Sequence, residues 1–182
     1  MAIKPVLRMG EPSLAQPSIE VIEFNTPFLQ HLLEDMQDTM QAENGAGLAA
    51  PQIGVNLRVV IFGYDTNPRY PDAPAIPLTI LINPKITPLS DEQDDAWEGC
   101  LSVPGLRGRV PRYTHIHYQG FDQNGQSFSR EVTGFHARVV QHECDHLDGI
   151  LYPQRMKSMR DFGFREELER NQLMALQPCD DE

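Results

Sequence analysis

The chain has 182 residues, the size of one domain with its own core, and its composition of 40% hydrophobic and 23% charged residues excludes a disordered or collagen-like protein. Its 15 basic and 26 acidic side chains give a formal charge of −11, which excludes a general nucleic-acid binder and leaves room only for local contact with RNA. No stretch approaches the ~20 apolar residues of a membrane span. The start MAIKPVLRMGEPSL carries neither the apolar run of a signal peptide nor an Arg/Ser-rich leader, so a cytoplasmic protein is expected. Three cysteines, Cys100, Cys144 and Cys179, are an odd set for a disulfide framework, and in a reducing compartment they read as ligands, nucleophiles or fillers.

In chain order, residues 1–25 read as an extended arm punctuated by prolines. A helix begins at Thr26-Pro27, where Thr26 can cap it and Pro27 suits its first turn, and it carries Phe28, Leu32, Leu33, Met36 and Met40 at helical spacing until about Gly45. Residues 57–62 and 79–86 are strand-like, separated by a Pro-rich loop over 67–77. The acidic stretch from Asp91 to Glu98 reads as a solvated loop. A strand over 109–120 and another over 127–132 flank Asn124-Gly125, a hairpin turn. A second helix spans about 134–147 and closes at Gly149, and a third covers 159–175, followed by a frayed QPCDDE tail. The pattern predicts one α+β domain over 1–182, with antiparallel or mixed sheets packed around a central helix and with an N-terminal and a C-terminal helix.

That central helix contains His142-Glu143-Cys144-Asp145-His146, an H-E-x-x-H motif. Residues four apart lie ~40° from each other around a helix and ~6 Å along it, so both imidazoles can reach one metal ion while Glu143 projects beside them. A catalytic metal generally takes three protein ligands and keeps one position open. Cys144 and His136 fall ~200° and ~240° around the helix from His142 and face elsewhere, Cys144 as a small buried hydrophobe. Cys179 lies in a polar tail. Cys100 remains, within Trp97-Glu98-Gly99-Cys100-Leu101-Ser102-Val103-Pro104-Gly105, where glycine and proline impose an irregular backbone able to approach a helix closely.

A third segment, Gly45-Ala46-Gly47-Leu48-Ala49-Ala50-Pro51-Gln52-Ile53-Gly54, combines small residues with Gln52, a neutral amide donor suited to a developing oxyanion. It lacks the Lys-Ser/Thr ending of a phosphate loop, and its plainer reading is a tight turn between helix and strand. Phe135 and Val139 fall within ~60° of the ligand stripe; they either wall a methionine-sized pocket or pack the helix on the sheet. Two rival classes stay open. In a zincin endopeptidase, Tyr152 occupies the place of a third histidine and Glu166 or Glu167 would serve as the last ligand. In a structural metal module, a closed four-ligand site would need neither Glu143 nor Gln52.

Together GAGLAAPQIG, EGCLSVPG and QHECDHLDG resemble the three motifs of the peptide deformylase family, in order and at similar separation. The resemblance implies removal of the formyl group from N-formylmethionine at the start of new proteins, by attack of metal-bound water. It implies Cys100, His142 and His146 as metal ligands, Glu143 as general acid/base, and Gln52 with the Leu101 N–H as oxyanion donors. Gly47 would lie against the substrate backbone, with Gly99, Arg107, Phe135 and Val139 as further substrate-binding positions. The implied cofactor is one divalent ion, Fe(II) in cells, with Zn, Ni or Co compatible with the same soft ligands. Substrates would be N-formylmethionyl peptides and nascent chains, with transient proximity to the ribosome, no stable nucleic-acid binding and no membrane. The chain departs from the resemblance at Ala46, where many relatives carry a larger aliphatic residue, and in its acidic DDE ending.

Overall fold

A computed structural model of the protein describes residues 2–67 and 73–174. Its first helix, α1 (Pro27–Ala42), is capped by Thr26, whose side-chain oxygen accepts from the Leu29 N–H at 3.2 Å. The helix buries Leu29, Leu32, Leu33, Met36 and Met40 and ends before Asn44, which turns the chain with a φ of 52°.

A five-stranded antiparallel sheet follows, built from β1 (Gly47–Ala49), β2 (Val59–Tyr64), β3 (Ile76–Pro88), β6 (His115–Phe121) and β7 (Ser127–Thr133) in the order β1-β2-β3-β6-β7. Strand alternation divides its side chains between two cores. Val60 and Phe62 of β2 join Leu81, Ile116 and Tyr118 under the second helix, α2 (Gly134–Leu147), whereas Val59 and Ile61 face α1 with Ile82. A smaller sheet, ordered β4-β5-β8, consists of β4 (Gln93–Cys100), β5 (Val103–Tyr113) and β8 (Phe162–Phe164), and a short helix α3 (Arg165–Arg170) follows. Cys100, Val103, Val110, Leu151 and Tyr152 form its core. α2 therefore runs between the two sheets.

The α+β architecture and both long helices agree with the sequence reading, and Gly125 makes the β6–β7 turn with a φ of 77°. Four readings are corrected. The acidic stretch is not a solvated loop: from Gln93 onward it forms β4, where Glu98 and Asp94 meet arginines from β5 and α2. The strand expected over 109–120 breaks at Thr114 into β5 and β6, which belong to different sheets. The strand read over 57–62 runs from Val59 to Tyr64, since Leu57 is taken by an isolated bridge to Ile19. The helix expected from 159 is a 3-10 turn (Met159–Asp161), then β8, then six residues of α3. Phe162, Gly163 and Phe164 pair with Leu106–Gly108 of β5 instead of continuing a helix. Ala175 and the QPCDDE tail, with Cys179, lie outside the described residues, as do 68–72 of the Pro-rich loop. No helix among the described residues is long and apolar enough to cross a membrane.

Candidate metal centre

Helical spacing on α2 brings the His142 and His146 rings to 5.2 Å between centroids. Cys100 ends β4, immediately before the Leu101-Ser102 turn that leads back into β5, and this places its Sγ 3.4 Å from His146 Nε2. The three donor atoms all lie within 4.8 Å of one another. Among the described residues they are the one such cluster of His, Cys, Asp or Glu. Glu166 and Glu167 are not part of it, and Tyr152 is buried with its ring stacked on His142 at 6.2 Å. The zincin alternative thus loses its third ligand.

The donor set suits a divalent ion. His142 directs Nδ1 at Glu98 Oε2, 2.8 Å away, which fixes the ring and leaves Nε2 facing the cluster. Glu98 is itself buried. Its carboxylate also accepts from Arg112 Nε at 2.9 Å, Arg112 Nη2 at 3.0 Å and Arg138 Nη1 at 2.8 Å. Burial would raise its pKa, but Arg112 and His142 outweigh that effect and hold it ionised. Burial likewise pushes the Cys100 thiol up, and the two imidazoles outweigh it, so its pKa falls well below the ordinary thiol value. His142 is raised well above its usual value, its burial being offset by Cys100 and Glu98. The thiolate that a metal requires is already favoured here.

Glu143 lies beside the ligands and is buried, with no hydrogen-bond partner for Oε2 among the described residues. Burial raises its pKa to about 7, a value suited to taking and returning a proton near neutrality. Gly47 makes room for it. A Cβ at position 47 would stand 2.5 Å from Glu143 Oε1, so this glycine lies against the Glu143 carboxylate as well as on the cavity wall. Gln52, in a 3-10 turn after β1, accepts from Ala49 N at 2.8 Å through its carbonyl. Its Nε2 donates to Ser102 Oγ at 3.0 Å and lies 3.5 Å from Cys100 Sγ. The amide orientation is therefore fixed with its donor end toward the cluster.

A cavity opens on these groups, lined by Gly47, Gln52, Gly99, Leu101, Phe135 and Val139 among others. Phe135 and Val139 each line the cavity and each pack with the α2 core. Arg107 differs. It does not line the cavity but packs behind Gly99, where an added Cβ would meet its guanidinium at 2.3 Å. His136 packs against Phe62 and Tyr118, away from the ligands, and Cys144 sits in the α2 core with its thiol pushed up by burial. Sequence reasoning missed Glu98, Arg112, Arg138 and Ser102. The available signal was Arg138, a cation on the ligand-bearing stripe of α2 that needs a buried partner.

Comparison with known proteins gives a consistent picture. The profile of the polypeptide deformylase family matches residues 3–162. "Peptide deformylase 1" of Nitrosomonas europaea is 62% identical over 173 residues, covering 95% of this chain and 98% of that protein. "Peptide deformylase 2" of Ralstonia nicotianae is 63% identical over 166 residues, covering 91% and 94%. Among solved structures, the Met-Ala-Ser-bound class I type b peptide deformylase of Acinetobacter baumannii superposes with a TM-score of 0.82 at 40% identity, over 85% of this chain and 99% of that one. The Thermotoga maritima peptide deformylase gives 0.76 at 30% identity, over 87% and 100%.

Proposed function

The chain belongs to the polypeptide deformylase family, metal-dependent hydrolases that remove the formyl group from the N-termini of newly made proteins, and on that premise we propose how its own residues divide the work. The observation that carries the assignment is the convergence of Cys100, His142 and His146 donor atoms within 4.8 Å, beside a buried Glu143 with an unpartnered oxygen. A divalent ion held by those three residues would supply Lewis acidity, lowering the pKa of a water at its open position toward neutrality. Glu143 takes the proton from the attacking water and delivers it to the departing amine of the methionyl residue. Gln52 Nε2 and the Leu101 N–H donate to the oxygen that gains charge as the formyl carbon is attacked, each such donor being worth about 10²–10³ in rate.

The first side chain of an N-formylmethionyl substrate enters the cavity between Phe135, Val139, Trp97 and Leu101. The structure of the Acinetobacter protein holds a Met-Ala-Ser tripeptide, which supports a substrate whose first residue is methionine. One thiolate and two neutral imidazoles leave a divalent site with a formal charge of about +1, a soft set that suits Fe(II), Zn, Ni or Co. We take Fe(II) as the ion used in cells, which makes the protein oxygen-sensitive. Nascent chains place its work in the cytoplasm, close to the ribosome but without a stable nucleic-acid contact, in keeping with a charge of −11.

Formate release from a formyl-Met peptide by anaerobically prepared protein tests the assignment, with Glu143→Ala alongside. The parent turns over and the variant retains its metal while losing at least ~10²-fold in kcat. Equal rates in both, or no turnover by a fully metal-loaded parent, refute the roles given.

A further inference from the structure

Along α2 the cavity is walled by Phe135, Arg138, Val139 and His142, and Arg138 brings a guanidinium into that stripe. Its side chain is only 7% exposed. The guanidinium makes four bonds: Nη1 donates to Glu98 Oε1 and to the Val110 carbonyl, both at 2.8 Å, and Nη2 donates to the Asp94 carbonyl at 2.7 Å and to Asp94 Oδ2 at 3.3 Å. Glu98 lines the cavity while Asp94 and Val110 do not, so the guanidinium is tied both to the wall and to the structure beyond it. Arg112, the other arginine on Glu98, does not line the cavity.

We propose that Arg138 is a specificity-determining residue whose tethered side chain limits the room in the cavity, and so how long a first side chain the enzyme accepts. The proposal rests on the reading that this cavity receives the side chain of the formylated residue. Its physical basis is stiffness. An aliphatic side chain at position 138 could change rotamer to admit a longer guest, whereas this stem cannot swing aside without breaking a buried ion pair to Glu98 and two backbone contacts. Glu98 in turn holds His142 Nδ1, so displacement of the stem would also disturb a ligand ring.

The test compares kcat/KM for formyl-norleucyl and formyl-2-aminooctanoyl dipeptides, which carry butyl and hexyl side chains, using protein loaded with one metal. Arg138→Ala and Arg138→Leu both shorten the wall, and Leu keeps helix propensity and apolar packing should Ala not fold. Each raises the hexyl-to-butyl ratio by roughly tenfold or more, because each methylene admitted to a pocket is worth at least that. Arg138→Met restores the length of the wall without its tether, so its ratio rises above the parent's and stays below that of the shortened variants. An unchanged ratio in the shortened variants, even with both rates depressed, overturns the proposal, since a merely structural arginine would lower the two substrates alike. Binding of the corresponding deformylated dipeptides, measured without turnover, must show the same rise in the hexyl-to-butyl ratio. If the parent fails to turn over the norleucyl substrate while the binding ratio still shifts, the reading of the site fails and the role of Arg138 stands.

Discussion

At the scale of single residues, the centre depends on one small side chain and one buried acid. Gly47 has no room for a methyl group, because its Cβ would fall 2.5–2.6 Å from three atoms of Glu143. Gly47→Ala therefore displaces Glu143, the general base of the proposed mechanism, without touching Cys100, His142 or His146. We expect kcat to fall by about 10²-fold, the order that a ~1 Å misplacement costs, with metal content unchanged by elemental analysis. Glu98 acts differently, through His142 and two arginines. Its replacement by Ala leaves buried cations uncompensated and frees the ring, so stability should drop by about 3–5 kcal/mol in denaturant melts. Metal affinity, read by chelator competition, should weaken roughly 10–100-fold. The Cys100, His142 and His146 cluster was legible in the sequence because H-E-x-x-H has a fixed helical geometry, and Cys100 followed by elimination. Glu98 was not legible: an acid among acids carries no local mark of burial, and its arginine partners stand 14 and 40 residues away.

Among the elements, legibility followed the locality of the forces. α1 could be read because its cap, first-turn proline and apolar stripe lie within its own sequence, and its start matches Thr26-Pro27. Thr26→Ala should cost about 1 kcal/mol, seen as a lower denaturation midpoint, and should leave turnover unchanged since the cap is remote from the ligands. β4 and β8 are held by long-range pairing. Gln93, Asp94 and Asp95 have no strand preference of their own, yet they pair in register with Tyr113, Arg112 and Pro111 of β5. The Phe162–Phe164 strand is added to the far edge of the same sheet by Leu106–Gly108, which a helical reading of residues 159–175 could not anticipate. Gln52 and Ser102 show the same dependence: N–H groups of the N-terminal arm, Leu7 and Met9, donate to their carbonyls at 2.8 and 2.7 Å and hold the two motif segments together.

For the whole molecule, the arrangement places the three donor residues on two structures with separate apolar cores, joined by the buried Arg112–Asp145 and Arg138–Glu98 pairs. Cys100 belongs to the small sheet, while His142 and His146 belong to the helix packed on the large one. An ion shared between them is a cross-brace as well as a cofactor. Removing it with a chelator should abolish turnover and lower the thermal midpoint, and readdition should restore both. The stabilisation lost is about 2.7 kcal/mol for each hundredfold excess of free ion over its dissociation constant. The most direct measurement is X-ray absorption at the metal edge on the loaded protein and on Cys100→Ala. The account predicts one sulfur neighbour near ~2.3 Å with nitrogen neighbours near ~2.0–2.1 Å in the parent, and loss of the sulfur signal in the variant. A parent spectrum without sulfur, or one left unaltered by the substitution, would contradict it.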